Sequence, residues 1–250
     1  MRLALKFGLG LQGLLFAASA LAAETQVAVA ANFSVPMQQI AASFERETGH
    51  KAVLAFGSTG AFYAQIGNAA PFDVFLAADG TTPVRLESDG LAVPGSRFTY
   101  AVGRLALWSA SADVVDDRGD ILRSGKVGRL AIANPKLSPY GGAAAQVLER
   151  MGVAGALRDK WVQGENIAQT YQFVASGNVA VGFVALSQVY AQGGIKAGSG
   201  WIVPQALHDP IRQDAVLLAR GKDNAAAVAL MRFLRSDAAR RVIADHGYGF

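Results

Sequence analysis

The chain contains no cysteine. Disulfides, zinc–thiolate sites and thiol nucleophiles are thereby excluded. Histidine is almost as scarce: His50, His208 and His246 stand far apart in 250 residues. Histidine-based catalysis and histidine metal clusters have little to build on. His50 follows a helix stop, and His246 suits a final helical turn, where a cation is favoured. No Lys/Arg stripe with interleaved aromatics appears, so nucleic acid is not an expected partner. No G-x-G-x-x-G opens a helix, and Gly125-Lys126-Val127-Gly128 is not a P-loop. Ser58 lacks the G-x-S-x-G setting of a hydrolase nucleophile, because Phe56 stands where the first glycine belongs. No enzyme is expected, and no catalytic residue is assigned. Beyond the N-terminus no apolar run is long enough to span a bilayer.

What is present begins with an export-type leader. Arg2 and Lys6 give a positive start, Leu9 to Ala18 an apolar stretch, and Ala20-Leu21-Ala22 a small-x-small cleavage pattern. Residues 1–22 are expected to be cleaved, after Ala22 or after Ala23. The competing reading, a membrane anchor, fits poorly with so short a run, and no stable membrane insertion is expected. Removing 1–22 leaves 21 basic residues against 19 acidic ones. That weak excess modestly favours the approach of an anion. An exported chain without disulfides suits the periplasm or the outer cell surface.

Hydrophobic residues make up 52% of the chain, enough to bury a core in one large domain or two small lobes. Strand-like runs alternate with helical periodicity. Residues 25–31, 51–56 and 73–78 read as strands, each followed by a helix. Gly49 and Gly90 supply helix stops, and Ser34 or Asn32 a cap ahead of Pro36. Near-continuous apolar strands imply parallel sheets covered on both faces. The run 98–108 is too long for one ordinary strand and has Gly103 at its middle; it reads as a connection between two lobes. A second block repeats the alternation, with a strand at 129–133, a loop at 134–142, and a helix from Ala143 to Met151. A short strand follows at 161–163, a helix opens at Glu165, and a strand covers 179–184. Segments 201–204 and 211–218 bring the chain back, and two helices, 224–234 and one capped by Ser236, end it.

The segment Ala55-Phe56-Gly57-Ser58-Thr59-Gly60-Ala61 is a strand that turns sharply into a helix. Such a junction leaves backbone N–H groups unpaired at the positive end of the helix dipole. Small residues let a ligand approach them, which makes an anion seat. Three further junctions share the plan, and all four are expected to converge on one small oxyanion. Neutral donors suffice for a tetrahedral dianion, because all its oxygens are acceptors. Hydrogen phosphate carries its own O–H and is rejected where no carboxylate accepts it.

Plainer readings stand beside these. Ser58 equally suits an ordinary N-cap, Asn32 a turn, Tyr140 buried packing and Ile167 the core. Asp73 and Asp79 fit capping and turn roles better than metal ligation, since no histidine stands at metal spacing.

The order and spacing of Ala30-Ala31-Asn32-Phe33, Gly57-Ser58-Thr59-Gly60 with Tyr63-Ala64-Gln65-Ile66, Asp73-Val74-Phe75-Leu76-Ala77-Ala78-Asp79, Asn134-Pro135 with Pro139-Tyr140-Gly141, and Gly182-Phe183-Val184-Ala185-Leu186 resemble those of periplasmic molybdate-binding proteins. The resemblance covers essentially the whole chain after the leader. It implies an α/β, two-lobed type II binding-protein fold, each lobe a mostly parallel sheet flanked by helices, joined by two crossover segments. Lobe I would comprise 23–102 and 205–250, and lobe II 103–204. Such a protein delivers molybdate, and often tungstate, to the permease of an ABC importer; a monomer with no cofactor is expected. The ligand positions fall at Asn32, Ser58, Tyr140 (through its N–H) and Ile167, with Ala31 beside Asn32. Molybdenum would be held as the oxyanion, without direct protein–metal ligands. A tyrosine donor found elsewhere in the family is replaced here by Ala185. The alternatives are another oxyanion such as sulfate, or a secreted hydrolase using Ser58.

Overall fold

The computed structural model describes residues 22–191 and 193–250. The leader assigned to 1–22 lies outside them, except for Ala22.

The chain opens with β1 (Glu24–Ala30), whose last four residues are buried. A single 3-10 turn, Ala31–Phe33, runs straight into α1 (Ser34–Thr48). Neither Ser34 nor Asn32 caps α1. The cap position falls to Phe33 with no side-chain bond, because the preceding turn already supplies the helical entry. Met37, Ile40 and Phe44 recur at helical spacing and are fully buried. Each contributes about 1.5–3 kcal/mol of apolar burial. Gly49 stops the helix with φ 73°.

Next come β2 (Lys51–Gly57), α2 (Thr59–Gly67), β3 (Val74–Leu76), α3 (Thr81–Ser88) and β4 (Phe98–Gly103). The long apolar run divides at Arg104, and β5 (Leu105–Ser109) starts a second sheet. That sheet is completed by β6 (Leu130–Ala133), α4 (Pro139–Arg150), α5 (Ala154–Leu157), β7 (Trp161–Gly164), α6 (Ile167–Ala175), β8 (Val181–Ala185) and α7 (Leu186–Val189). A small hairpin, β9 (Tyr190–Ala191) with β10 (Gly194–Ile195), precedes β11 (Ser199–Ile202). The chain then returns through β12 (Ile211–Leu217) to α8 (Ala225–Phe233) and α9 (Asp237–Asp245), capped by Asn224 and Ser236.

The two sheets have the orders β2-β1-β3-β12-β4 and β11-β5-β8-β6-β7. In each, three neighbouring strands run parallel: β2-β1-β3 and β8-β6-β7. The others pair antiparallel. Those antiparallel strands flank the two crossings, β4 to β5 and β11 to β12. The sheets are thus mixed, and the parallel part of each directs its carboxyl ends toward the other half. Helices α8 and α9 return to the first sheet, where Leu230, Phe233 and Ile243 join Val27, Val29 and Phe44 in one core.

A second local expectation fails. Residues 139–142 read as loop because of Pro139, Gly141 and Gly142, yet they form the first turn of α4. Ser138 caps it through Oγ, 3.4 Å from Gly141 N, and Pro139 takes the first helical position. Gly141 is needed there for contact rather than flexibility: a Cβ would collide with the backbone of Ala133.

Candidate functional site

The parallel strands end in junctions that meet between the two halves. Ala30, Ala31 and Asn32 follow β1; Gly57, Ser58 and Thr59 follow β2; Ala78 follows β3. Ser138 and Pro139 arrive after β6, and Asn166 and Ile167 after β7. Together they line one small cavity. No charged side chain is among its lining residues. Ala31, Asn32, Ser58 and Ile167 are all buried, none more than 7% exposed, and the cavity lies between the two halves.

The junctions that open α2, α4 and α6 are each fixed by a side-chain cap that leaves donors over. Ser58 Oγ accepts from Ala61 N at 3.4 Å, so its own O–H remains a donor. Thr59 Oγ1 accepts from Ala78 N at 3.0 Å and ties the start of α2 to the end of β3. Asn166 Oδ1 accepts from Ala168 N and Gln169 N, both at 3.0 Å. Neither this cap nor that of Ser138 uses the N–H of Ile167 or of Tyr140. Those N–H groups sit in the first turn of α6 and α4, where the helix offers no acceptor. The dipoles of α2, α4 and α6 add positive potential at the same end. A cavity built this way suits a small anion held by neutral donors.

The residues singled out from the sequence are brought together unequally. Ala31, Asn32, Ser58 and Ile167 line the cavity. The Ile167 side chain belongs to the core, so only its backbone can serve a ligand. Tyr140 does not line the cavity; its ring is buried and its hydroxyl accepts from Gln213 Nε2 at 3.0 Å. The Asn32 side chain is also committed elsewhere. Its Nδ2 donates to Gln213 Oε1 at 2.8 Å and to Tyr248 Oη at 3.0 Å. The donor that Asn32 can offer is its backbone N–H. Ala185 is buried at the start of α7, where its N–H donates to Gln188 Oε1, and it does not line the cavity.

Sequence reasoning missed Asn166, Ser138 and Thr59. The first two carried a legible signal, a polar cap residue immediately before a helix. It also missed the buried network of Tyr100, Gln213, Ser187 and Tyr248 around Asn32 and Tyr140. Burial raises the phenol pKa values of Tyr100 and Tyr140 well above their ordinary value, and pushes that of Tyr248 up to about 12.

These phenols stay neutral in the fold while those of the unfolded chain ionise from about pH 10. Stability is therefore full below pH 10 and falls as pH rises toward 12, because the unfolded state loses its protons first. For Tyr248 alone the loss is on the order of 2–3 kcal/mol. Urea unfolding is expected to be flat between about pH 7 and pH 9 and to weaken steeply above pH 10, and Tyr248→Phe is expected to reduce that alkaline loss.

Asp73 and Asp79 have structural roles. Asp73 accepts from Gln26 N, Asn224 Nδ2 and the Arg220 guanidinium. Asp79 caps α3 through Thr82 N at 2.7 Å. Among the described residues there is no group of three or more His, Asp or Glu able to hold a metal ion. None of the three histidines lines the cavity. Among the described residues, no helix is long and apolar enough to cross a membrane.

Two mixed sheets, two crossings and a cavity between them define a two-lobed binding protein. The chain belongs to the bacterial extracellular solute-binding protein family, which it matches over residues 25–249. Among its relatives, it is 56% identical over 248 residues to molybdate-binding protein ModA of Azotobacter vinelandii, covering 99% of this chain and 97% of that protein. It is 50% identical over 229 residues to ModA of Rhodobacter capsulatus, covering 92% and 89%. Its structure superimposes on that of an Azotobacter vinelandii periplasmic molybdate-binding protein with TM-score 0.86 and 39% identity, over 90% of this chain and 99% of the other. The fold is thus that of the periplasmic binding proteins, and the family binds solutes rather than transforming them.

Proposed function

We propose that this protein captures molybdate, and tungstate with it, and delivers the ion to the permease of an ABC importer. The observation that carries this reading is a cavity lined by helix starts from both sheets, without a charged side chain among its lining residues. The relatives named above supply the identity of the ion. The donors are the N–H of Ala31 and Asn32, the O–H and N–H of Ser58, and the N–H of Ile167. They are joined by the N–H of Tyr140, which does not line the cavity itself but follows the lining residue Pro139 in the first turn of α4. Five or more charge-assisted hydrogen bonds replace the water of a tetrahedral dianion. No carboxylate lines the cavity to accept from hydrogen phosphate, which is rejected for that reason. Sulfate presents a similar acceptor face and is discriminated by size.

The lobes in this reading are 23–102 with 205–250, and 103–204. They close by hinge motion where the chain crosses between the sheets, near Val102–Gly103 and Pro204–Ile211. The leader is removed and the mature protein works in the periplasm as a monomer. Calorimetric titration of the mature protein with molybdate, tungstate, sulfate and phosphate tests the proposal. Molybdate and tungstate are expected to bind tightly, sulfate far more weakly and phosphate not at all. A null titration with molybdate, or sulfate bound equally well, would overturn it.

A further inference from the structure

We infer that Gln213 is a positioning residue for the anion site, and that its buried amide couples that site to closure of the two lobes. The inference rests on the oxyanion-binding reading above. Gln213 lies on β12, one of the strands that carries the chain between the sheets, and is fully buried. It does not line the cavity. The pairing of β12 with β4 shifts register between Gln213 and Asp214. Irregularities of this kind re-aim a side chain out of the regular pleat. Asp214 is occupied by Arg97 and Thr99, and Gln213 meets a different set of partners.

Gln213 Oε1 accepts from Asn32 Nδ2 at 2.8 Å and from Tyr100 Oη at 2.9 Å. Its Nε2 donates to Tyr140 Oη at 3.0 Å. The orientation of the amide follows from these partners, since the oxygen faces two donors. Asn32 stands beside the cavity after β1, and Tyr140 is the second residue of α4 in the other half. One amide therefore spans the two halves and grips one donor segment of each. The grip is doubled around Asn32. Ser187, on α7 of the second half, donates through Oγ to Asn32 O at 3.0 Å, and Tyr248 Oη lies 2.8 Å from the same oxygen. Gly103, at the end of β4, makes the room: a Cβ there would collide with the Tyr140 hydroxyl and the Gln213 amide.

A network of this kind is satisfied in one arrangement only, and a half-made version leaves buried polar groups unpaired. When the lobes part, the Gln213–Tyr140, Ser187–Asn32 and Tyr248–Ser187 bonds are among those that must break. Restoring them on closure sets the Asn32 and Tyr140 backbone donors at their working separation. Gln213 thus acts on the anion without touching it.

The test is calorimetry and stopped-flow release of molybdate from wild type, Gln213→Leu, Tyr140→Phe and the double variant, with thermal melts of each unliganded protein. Gln213→Leu is expected to bind molybdate at least tenfold more weakly, through faster release, and to lower the molybdate-to-sulfate affinity ratio. Tyr140→Phe keeps the backbone donor and the ring, and is expected to lose at least threefold. The double variant should bind no worse than Gln213→Leu alone, because both changes break one connection. Wild-type affinity and release in either single variant, or losses that simply multiply in the double variant, would overturn the inference. Should Gln213→Leu fail to fold, Tyr140→Phe decides: its threefold loss supports the coupling, and unchanged release removes it. A wild-type protein that ignores molybdate overturns instead the reading on which this rests.

Discussion

Replacing Ser58 with alanine is expected to weaken molybdate binding by about 1.5–3 kcal/mol, roughly tenfold to more than a hundredfold. Ser58 has two separable duties. Its Oγ accepts the Ala61 N–H and caps α2, while its O–H is left to donate into the cavity. Removing the hydroxyl costs both. The lost cap lowers the stability of the unliganded protein by about 1 kcal/mol. In a chain of this length that amounts to a melting-point drop of about 2–4 °C. The lost donor leaves one oxygen of a desolvated dianion short of a hydrogen bond, which is the larger effect. Calorimetry and thermal melts of Ser58→Ala separate the two. An unchanged affinity with a lowered melting point would reduce Ser58 to an ordinary cap.

Gly60→Val is expected to weaken binding about 5- to 150-fold while leaving the unliganded protein as stable as before. Gly60 N–H donates to Leu137 O at 2.9 Å, a backbone bond from α2 to the loop ahead of α4. The contact is so close that a Cβ on Gly60 would stand 3.0 Å from Leu137 Cα and 3.2 Å from its carbonyl oxygen. Backbone atoms cannot rotate aside as the end of a side chain can. Overpacking of this sort costs about 1–3 kcal/mol, which sets the range given. The hinge motion proposed above would carry Leu137 away from Gly60 on opening and leave the added side chain unobstructed, and valine is no worse than glycine within a helix. The penalty falls on closure alone. Small-angle scattering with and without molybdate is expected to show compaction in wild type and a smaller change in the variant. Full compaction with wild-type affinity would mean that this seam is not part of the liganded state.

The candidate site was legible in pieces. Ser58 and Ile167 sit at helix starts, and such starts announce themselves within four or five residues through a cap, a proline or a glycine stop. The same local rules would have shown Asn166 and Ser138 as caps. The misreading of 139–142 as loop has a local cause too: two glycines outweighed Ser138-Pro139, although Gly141 is there to let α4 approach Ala133. Asn32 lines the cavity, but its amide serves Gln213 and Tyr248, which are 181 and 216 residues away in sequence. Nothing near Asn32 in the chain signals that commitment.

By itself, then, the sequence determined the alternation of strands and helices, the helix starts rich in small and polar residues, and the exclusion of thiol and histidine-cluster chemistry. Periodicity and capping act over a few residues, so they can be read where they stand. Only the tertiary structure decided that the helix starts share one cavity, that the Tyr140 hydroxyl is bonded to Gln213, and that Gln213 joins the two halves behind the cavity. Those facts depend on groups brought together across the whole chain by the packing of two sheets, and the polar groups buried there are forced to choose whichever partners the fold supplies.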